Sequence, residues 1–189
     1  EEDIVVDAVS DVTVTPKSAV SLKISWPSVD AASGYTLYYK KSAATSWKTK
    51  TLTSTSGTCI YTLTGLSKGT EYDIKVEAYV GSKKGDASDT VTMITKPGKV
   101  AAKKKSVTKT SVTLKWSKKT GATGYIIYRA TSKNGTYKKI KVIRNNSTFT
   151  YKNTGLSSGK TYYYKVVAYT AYNGTVYTGA GAKVAIKTA

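Results

Sequence analysis

The lysine residues are the most distinctive chemical feature of this chain, because they are segregated from the acidic residues. The sequence of 189 residues contains 30 Lys and Arg residues and 11 Asp and Glu residues, and every acidic residue precedes Pro97. The second half therefore carries the whole net charge of +19. A cationic surface without carboxylates attracts polyanions and releases their counterions on binding. This asymmetry indicates an electrostatic affinity for anionic polymers, such as cell-wall polymers or glycans.

Two lysine-rich segments of the second half are the candidate contacts for such a polymer. They contain Lys103, Lys104, Lys105, Lys138, Lys139 and Lys141. Nucleic acid is not the expected partner. The structural alternative is that these lysines are solvated and discourage the edges of strands from pairing with other chains.

Tyrosines near these lysines form a second candidate site. If Tyr162 and Tyr164 point into a core, alternation along a strand places Tyr163, Lys165 and Tyr169 on the outer face, with Tyr128 beside them. Exposed aromatic rings can stack on sugars or pack against a neighbouring domain. The structural alternative is that cross-strand aromatic pairs stabilise the sheet. The first half has Asp73, Lys75 and Glu77 on the corresponding face, so we do not expect it to share the site.

The residue types needed for catalysis or metal binding are scarce. The chain has no histidine and one cysteine, Cys59, which excludes an internal disulfide and a thiolate metal cluster. Without histidine, the usual general base and the usual zinc ligand are both absent. Cys59 occupies an inward strand position, which favours a buried small side chain over a nucleophile. We therefore expect no enzyme activity and no cofactor.

The tripeptide Lys84-Gly85-Asp86 is the remaining candidate for recognition. It falls in a predicted loop of the first half and resembles the Arg-Gly-Asp motif that integrins bind. Glycine, lysine and aspartate are also the residues that any exposed turn favours. An adhesive role for this loop stays open at the level of sequence.

An internal repeat of ninety residues organises the chain. Trp26 aligns with Trp116, Gly34-Tyr35 with Gly124-Tyr125, and residues 64–67 with residues 154–157. Such a repeat marks two copies of one folding unit. We predict one domain over residues 1–96, with an acidic lead-in over residues 1–10, and a second, strongly basic domain over residues 97–189.

Hydrophobic residues alternate with a period of two within each copy, as in half-buried antiparallel strands. Seven short strands per copy favour a sandwich of two sheets with Greek-key connections. The predicted strands of the first copy are 11–15, 19–26, 34–40, 46–52, 58–63, 70–80 and 87–95. Those of the second copy are 100–104, 110–116, 123–130, 136–142, 147–153, 160–171 and 181–188. No apolar run reaches the roughly 20 residues that a membrane-spanning helix needs.

Both copies resemble the fibronectin type III family. The segments from Leu66 to Tyr72 and from Leu156 to Tyr162 are similar to the turn at which that family forms a tyrosine corner. The corner implies that the hydroxyl groups of Tyr72 and Tyr162 bond to backbone a few residues upstream. The resemblance also identifies Trp26 and Trp116 as the core tryptophans, with Leu66 and Leu156 as structural residues. It implies an all-β fold of two tandem immunoglobulin-like sandwiches.

The second copy is also similar to repeats of large secreted or wall-attached proteins of Gram-positive bacteria. Residues 124–137 and 160–169 carry this likeness. It implies a monomeric pair of non-catalytic spacer or display modules on the cell surface or in a secreted protein, flanked by other domains of a larger chain. The alternative is a glycan-binding or adhesion module that uses the outward tyrosines of the second copy or the loops of the first.

Overall fold

The structure is a computed structural model that describes residues 5–53 and 56–189. Within those ranges every element of regular secondary structure is a β-strand, so the predicted all-β fold class is confirmed. The chain divides into two compact units, Glu1–Thr95 and Lys96–Ala189, which are called the first and second domains below.

The first domain is a sandwich of two antiparallel sheets. The smaller sheet has the order β1-β2-β5, and the larger has the order β4-β3-β6 with β7 and β8 both paired to β6. Because the chain leaves the smaller sheet after β2 and returns to it at β5, the connections are those of a Greek key. The strands are β1 (Thr13–Ser18), β2 (Ser21–Pro27), β3 (Gly34–Lys41), β4 (Lys48–Thr53), β5 (Thr58–Leu63), β6 (Glu71–Val80), β7 (Lys83–Lys84) and β8 (Val91–Ile94).

The second domain repeats this arrangement. Its smaller sheet has the order β13-β10-β9, and its larger sheet has the order β12-β11-β14 with β15 and β16 both paired to β14. The strands are β9 (Lys103–Val107), β10 (Val112–Lys115), β11 (Gly124–Ala130), β12 (Lys138–Ile143), β13 (Thr150–Asn153), β14 (Thr161–Tyr172), β15 (Thr175–Thr178) and β16 (Lys183–Lys187).

The last strand of each domain is interrupted, which the sequence did not predict. In the first domain, β7 and β8 pair with the two ends of β6, and the backbone of the lead-in approaches Gly85 between them. In the second domain, Val100 exchanges backbone hydrogen bonds with Ala180 and Ala182 between β15 and β16. The predicted strand at 100–104 accordingly begins later, at Lys103, because Val100 pairs with the other sheet.

The core of each domain is built on the predicted aromatic residues. Trp26 and Tyr35 pack edge to face with ring centroids 5.3 Å apart, and Trp116 and Tyr125 lie 5.4 Å apart. The alternating inward positions of β2 and β6 are buried as predicted, except that Val20 lies before β2 and is 40% exposed.

Both tyrosine corners are confirmed. The backbone N–H of Ser67 donates to the Tyr72 hydroxyl over 2.8 Å, and that of Ser157 donates to the Tyr162 hydroxyl over 3.0 Å. Leu66 and Leu156 are buried at the same turns, and their backbone N–H groups bond to the carbonyls of Val20 and Thr110. Each turn is thereby tied to the opposite sheet.

Candidate functional site

The outer face of the larger sheet in the second domain brings together several predicted site residues. Tyr162, Tyr164 and Val166 of β14 are buried, so Tyr163 and Lys165 point away from the core. Cross-strand pairing places Tyr128 of β11 on one side of Lys165 and Lys183 of β16 on the other. Tyr137, which precedes β12, completes the group. We call Tyr128, Tyr137, Tyr163, Lys165 and Lys183 the second outer face.

Lysine ammonium groups lie over the aromatic rings of the second outer face. The Lys165 Nζ is 4.9 Å from the ring centroid of Tyr128 and 5.6 Å from that of Tyr137, and the Lys183 Nζ is 4.9 Å from the Tyr137 centroid. Contacts of this kind attract the cation to the electron-rich ring face. The rings of Tyr128 and Tyr137 therefore each have at least one face that a lysine already occupies.

Tyr137 lies at the centre of this arrangement. Burial, and secondarily the neighbouring Tyr163, raise the pKa of the Tyr137 hydroxyl. Within the described ranges that hydroxyl is buried without a hydrogen-bond partner, as are the indole N–H groups of Trp26 and Trp116. The two tryptophans occupy equivalent core positions, whereas the residue equivalent to Tyr137 is Trp47, which has no hydroxyl.

The first domain has the same aromatic–lysine arrangement on the corresponding face. The Lys75 Nζ is 5.2 Å from the ring centroids of both Tyr38 and Trp47. In the ninety-residue repeat, Lys75 corresponds to Lys165, Tyr38 to Tyr128 and Trp47 to Tyr137. The expectation that the first domain lacks the binding site stays a prediction; it compared β6 and β14 alone, whereas the rings come from neighbouring strands and turns. We call Tyr38, Trp47, Asp73, Lys75 and Glu77 the first outer face.

Carboxylates distinguish the first outer face from the second. The Asp73 carboxylate is 3.0 Å from the Lys40 Nζ and accepts hydrogen bonds from Ser42 and Thr92. Burial alone would raise the pKa of Asp73, but the hydrogen bonds from Ser42, Lys40 and Thr92 outweigh it and hold that pKa below its ordinary value.

Glu77 has a similar set of partners. It accepts a hydrogen bond of 2.8 Å from the Tyr38 hydroxyl and forms an ion pair of 2.9 Å with Lys84. Burial again opposes ionisation, but Lys84 and Tyr38 outweigh it and lower the pKa of Glu77. The hydrogen bond to Glu77 and burial together raise the pKa of Tyr38. The two carboxylates of the first outer face are thus paired with Lys40 and Lys84 of the same domain.

Tyr169 is not the exposed binding residue that the alternation predicted. It lies on the outer side of β14, but only 7% of its surface is exposed, and Val167 beside it is buried too. The reason is Gly124, which pairs with Tyr169 and lets the ring lie against its backbone: a Cβ atom at Gly124 would come within 2.9 Å of the ring and hydroxyl of Tyr169. Tyr79 covers Gly34 in the same way. Tyr169 is therefore a structural residue.

The six candidate lysines are exposed, but they do not form one cluster. Lys103, Lys104 and Lys105 lie on β9 at an edge of the smaller sheet, and β9 contacts β16. Lys138, Lys139 and Lys141 lie on β12, at the edge of the larger sheet farthest from β16. Only Lys139, which pairs with Tyr128, lies near the second outer face.

The Lys84-Gly85-Asp86 tripeptide does not form the tip of a loop. The turn of this hairpin lies before Lys83, and Lys84 pairs with Tyr79 as part of β7. The Lys84 side chain is engaged with Glu77, and a Cβ atom at Gly85 would lie 2.7 Å from the Val6 carbonyl oxygen. Lys84 therefore lies on β7, whereas Gly85 and Asp86 lie between β7 and β8, outside both strands.

A buried polar network in the second domain was not found from the sequence. Asn153 is buried, and its Oδ1 atom accepts hydrogen bonds from Arg129 and from the Tyr164 hydroxyl. The Arg129 guanidinium also lies 5.4 Å from the ring centroid of Tyr162. Burial raises the pKa of Tyr164 to about 12. The sequence signal that could have revealed this network is that Asn153 aligns with Leu63, an apolar inward residue of the first domain.

Other features bear on the remaining expectations. Cys59 is buried, as predicted. Among the described residues there is no group of three or more His, Cys, Asp or Glu side chains suited to a metal ion. Residues 5–53 and 56–189 include no helix with the length and apolar character needed to cross a membrane.

The two sandwiches with tyrosine corners define a tandem pair of immunoglobulin-like domains. The sequence model of the fibronectin type III domain matches residues 7–94 and again residues 95–179, so the chain belongs to the fibronectin type III family. Domains of this family are in general non-catalytic structural or binding modules, typically extracellular or at the cell surface, and a tandem pair fits a module of a larger protein.

One solved structure supports the fold of the two domains. The chain is similar to a segment of two fibronectin type III domains from chicken tenascin, with 21% sequence identity and a TM-score of 0.53 over 95% of this chain and 99% of that one. It also matches the FN1–FN3 domains of chicken CNTN1, with 20% identity and a TM-score of 0.46 over 97% of this chain and 66% of that one. No curated protein sequence matches the chain significantly. At this identity the tenascin segment supports the fold alone.

Proposed function

We propose that the chain is a pair of spacer or display modules in a larger secreted or cell-surface protein, and that its second domain adds electrostatic affinity for anionic polymers. The observation that carries the electrostatic part is that residues 97–189 contain no carboxylate side chain, while the candidate lysines of β9 and β12 are all exposed. Lysines at opposite edges of the domain suit a diffuse attraction to a long polymer better than a pocket for a small molecule.

The likeness of residues 124–137 and 160–169 to repeats of Gram-positive wall proteins supports an anionic wall polymer as the partner. The spacer role is supported by two compact domains, each with its own core and its own tyrosine corner. Partners and catalytic groups of the parent protein would then lie in its other domains.

The alternative of a glycan-binding or adhesion module has less support. Lysines cover the rings of Tyr128 and Tyr137, Tyr169 is buried, and Lys84 is engaged with Glu77. These four residues, which the alternative would use, are thus already engaged within the protein.

An array of neutral glycans and polyanions, read at two salt concentrations, tests the proposal. The full chain should bind polyanions weakly at about 50 mM salt and lose them at about 200 mM, because the driving force is counterion release. Salt-resistant binding to a neutral glycan would favour the alternative. Failure to bind any polyanion at the lower concentration would contradict the electrostatic part of the proposal.

A further inference from the structure

Two lysines of the second outer face oppose each other without a counterion. Lys165 and Lys183 are direct cross-strand partners on β14 and β16. Like charges in directly opposite positions destabilise a sheet. No Asp or Glu side chain of the second domain can lie between the two ammonium groups as a counterion, because residues 97–189 contain neither residue type. Positions at which a sequence breaks such a local rule are often functional.

The aromatic rings hold both ammonium groups in place. The Lys165 Nζ contacts the rings of Tyr128 and Tyr137, and the Lys183 Nζ contacts the same Tyr137 ring. An ammonium group has three N–H donors, so a contact with a ring face leaves donors available for an anion. Since the side chains are already positioned, a bound anion would cost less conformational entropy than one held by free lysines.

The first domain shows what the second outer face lacks. Lys75 occupies the position of Lys165 and is flanked along β6 by Asp73 and Glu77. Both carboxylates are ionised and paired with cations of the same domain. In the second domain these two positions are Tyr163 and Val167. An external anion would supply the negative charge that the first domain provides for itself.

The ligand chemistry follows from the groups that are available. Two ammonium groups from neighbouring strands meet at one ring, which suits a tetrahedral sulfate or phosphate ester with three free oxygens. Nucleic acid is a poorer match, because lysines already occupy faces of the Tyr128 and Tyr137 rings that base stacking would need. Arg129, one of two arginines in the chain, donates a hydrogen bond to Asn153, so we assign the anion contacts to the lysines.

We propose that Lys165 and Lys183, positioned by Tyr128 and Tyr137, form a binding site for a sulfate or phosphate ester group of an anionic polysaccharide. This inference rests on the proposed affinity of the second domain for anionic polymers. It assigns that affinity mainly to one site rather than to the whole lysine surface.

Binding of the full chain to dextran sulfate and dextran phosphate tests the site. The double variant Lys165→Gln/Lys183→Gln should weaken binding about tenfold and lower the salt-dependence slope by about two, because two specific contacts are lost. The matched control Lys103→Gln/Lys105→Gln removes the same charge from β9 and should weaken binding by about threefold or less. Equal losses in the two variants would overturn the inference.

A second pair of variants retains every lysine. Ala185 is exposed on β16 and pairs with Tyr163, so Ala185→Glu places an internal carboxylate beside Lys183. We expect it to weaken binding about as much as the double variant does. Thr150→Glu adds the same charge on β13 of the other sheet and should have the smaller effect. If Ala185→Glu and Thr150→Glu behave alike, the site is not where we place it.

The probes also separate the possible failures. Binding to dextran sulfate alone, to dextran phosphate alone, or to both identifies the ester that the site accepts. Equal affinity for carboxymethyl dextran of matched charge would overturn the preference for a tetrahedral group, and equal sensitivity of DNA binding to Lys165→Gln/Lys183→Gln would overturn the polysaccharide assignment. If the unmodified chain binds none of the charged dextrans at about 50 mM salt, the proposed function itself fails.

Discussion

The two domains are built on the same framework but differ in the charges of their outer faces. Both contain the core tryptophan, the tyrosine corner, a glycine covered by a tyrosine, and a lysine held over two aromatic rings. In the first domain, Asp73 and Glu77 form ion pairs with Lys40 and Lys84. In the second domain no carboxylate side chain is present, and two lysines face each other.

This comparison separates framework from function on a single surface. A lysine over an aromatic pair occurs in both domains, so we attribute to this contact a stabilising role in the sheet that does not depend on ligand binding. The missing counterions are specific to the second domain, and stability gives no reason to remove them. The difference in charge, rather than the presence of aromatic rings, is therefore the feature to test.

The shared framework can be broken at its covered glycines, where we expect the largest effect. In Gly124→Ala the added Cβ would contact the Ile143 carbonyl oxygen and the Tyr169 ring, neither of which can easily move. We expect the second domain to lose about 3 kcal/mol of unfolding free energy, a typical upper cost of overpacking. Gly34→Ala should do the same to the first domain. Denaturant unfolding followed by hydrogen exchange would assign each loss to its domain.

Gly135→Ala is the matched control for this prediction. The nearest atom to its added Cβ is the Ser132 hydroxyl oxygen, which can rotate away. A change within about 0.5 kcal/mol is expected, as for most surface substitutions. If Gly124→Ala were equally mild, Tyr169 would not be fixed against the backbone, and its assignment as a structural residue would be wrong.

A second difference between the domains lies in the core, where Asn153 replaces the apolar Leu63. In Asn153→Leu the Arg129 guanidinium and the Tyr164 hydroxyl both lose their acceptor. Buried polar groups without partners typically cost about 2 kcal/mol, and we expect a loss of that order in the second domain. Asn153→Asp keeps the acceptor and should retain most of the stability in the same chemical unfolding measurement. Equal losses in both variants would show that the amide shape, and not the acceptor, matters.

The sequence predicted the framework well because its evidence is local or repeated. Period-two alternation located the strands, and the ninety-residue repeat located the two cores. The sequence-based prediction failed where the outcome depends on which residues of neighbouring strands pair with each other. The burial of Tyr169 requires Gly124 to lie opposite it, and the interruption between β15 and β16 requires Val100 to reach the other sheet. The aromatic–lysine contacts likewise join residues from separate strands and turns, which alternation along one strand does not reveal.

Acid should separate the two domains according to their carboxylates. The pKa values of Asp73 and Glu77 are lowered in the folded state, so their contribution to stability is fully present above their ordinary values near 4. It is lost as the pH falls through the lower folded-state values. The Asp73–Lys40 pair, with both side chains 16% exposed, contributes about 1 kcal/mol or less, and the pair of Glu77 with the exposed Lys84 contributes less than that. The first domain should therefore lose up to about 1 kcal/mol between pH 7 and pH 2.

The second domain has no side chain that titrates in that interval, since residues 97–189 contain no Asp, Glu or His. Hydrogen exchange measured at both ends of the interval should show faster opening in the first domain alone, after correction for the intrinsic rate. Replacing Asp73 with Asn and Glu77 with Gln should remove most of the pH dependence. A parallel loss in both domains would indicate that general charge repulsion dominates over these pairs.

The smallest expected effect concerns the turn between β2 and β3 and its counterpart between β10 and β11. Both turns share a backbone hydrogen bond, from Ala32 to Val29 and from Ala122 to Lys119. The residue before each donor has a positive φ, which is 59° at Ala31 and 68° at Gly121. A side chain in this region strains the backbone by about 1 kcal/mol, and glycine avoids the strain.

Ala31→Gly should therefore stabilise the first domain, by about 0.5 kcal/mol after allowing for the greater flexibility of glycine in the unfolded chain. Gly121→Ala should destabilise the second domain by about 1 kcal/mol. The two substitutions exchange the residues at one position of the repeat, so each serves as the control for the other. Denaturant midpoints with unchanged slopes would measure both effects. Effects of the same sign would mean that the two turns do not share one backbone geometry, because glycine would then relieve strain in one domain and not in the other.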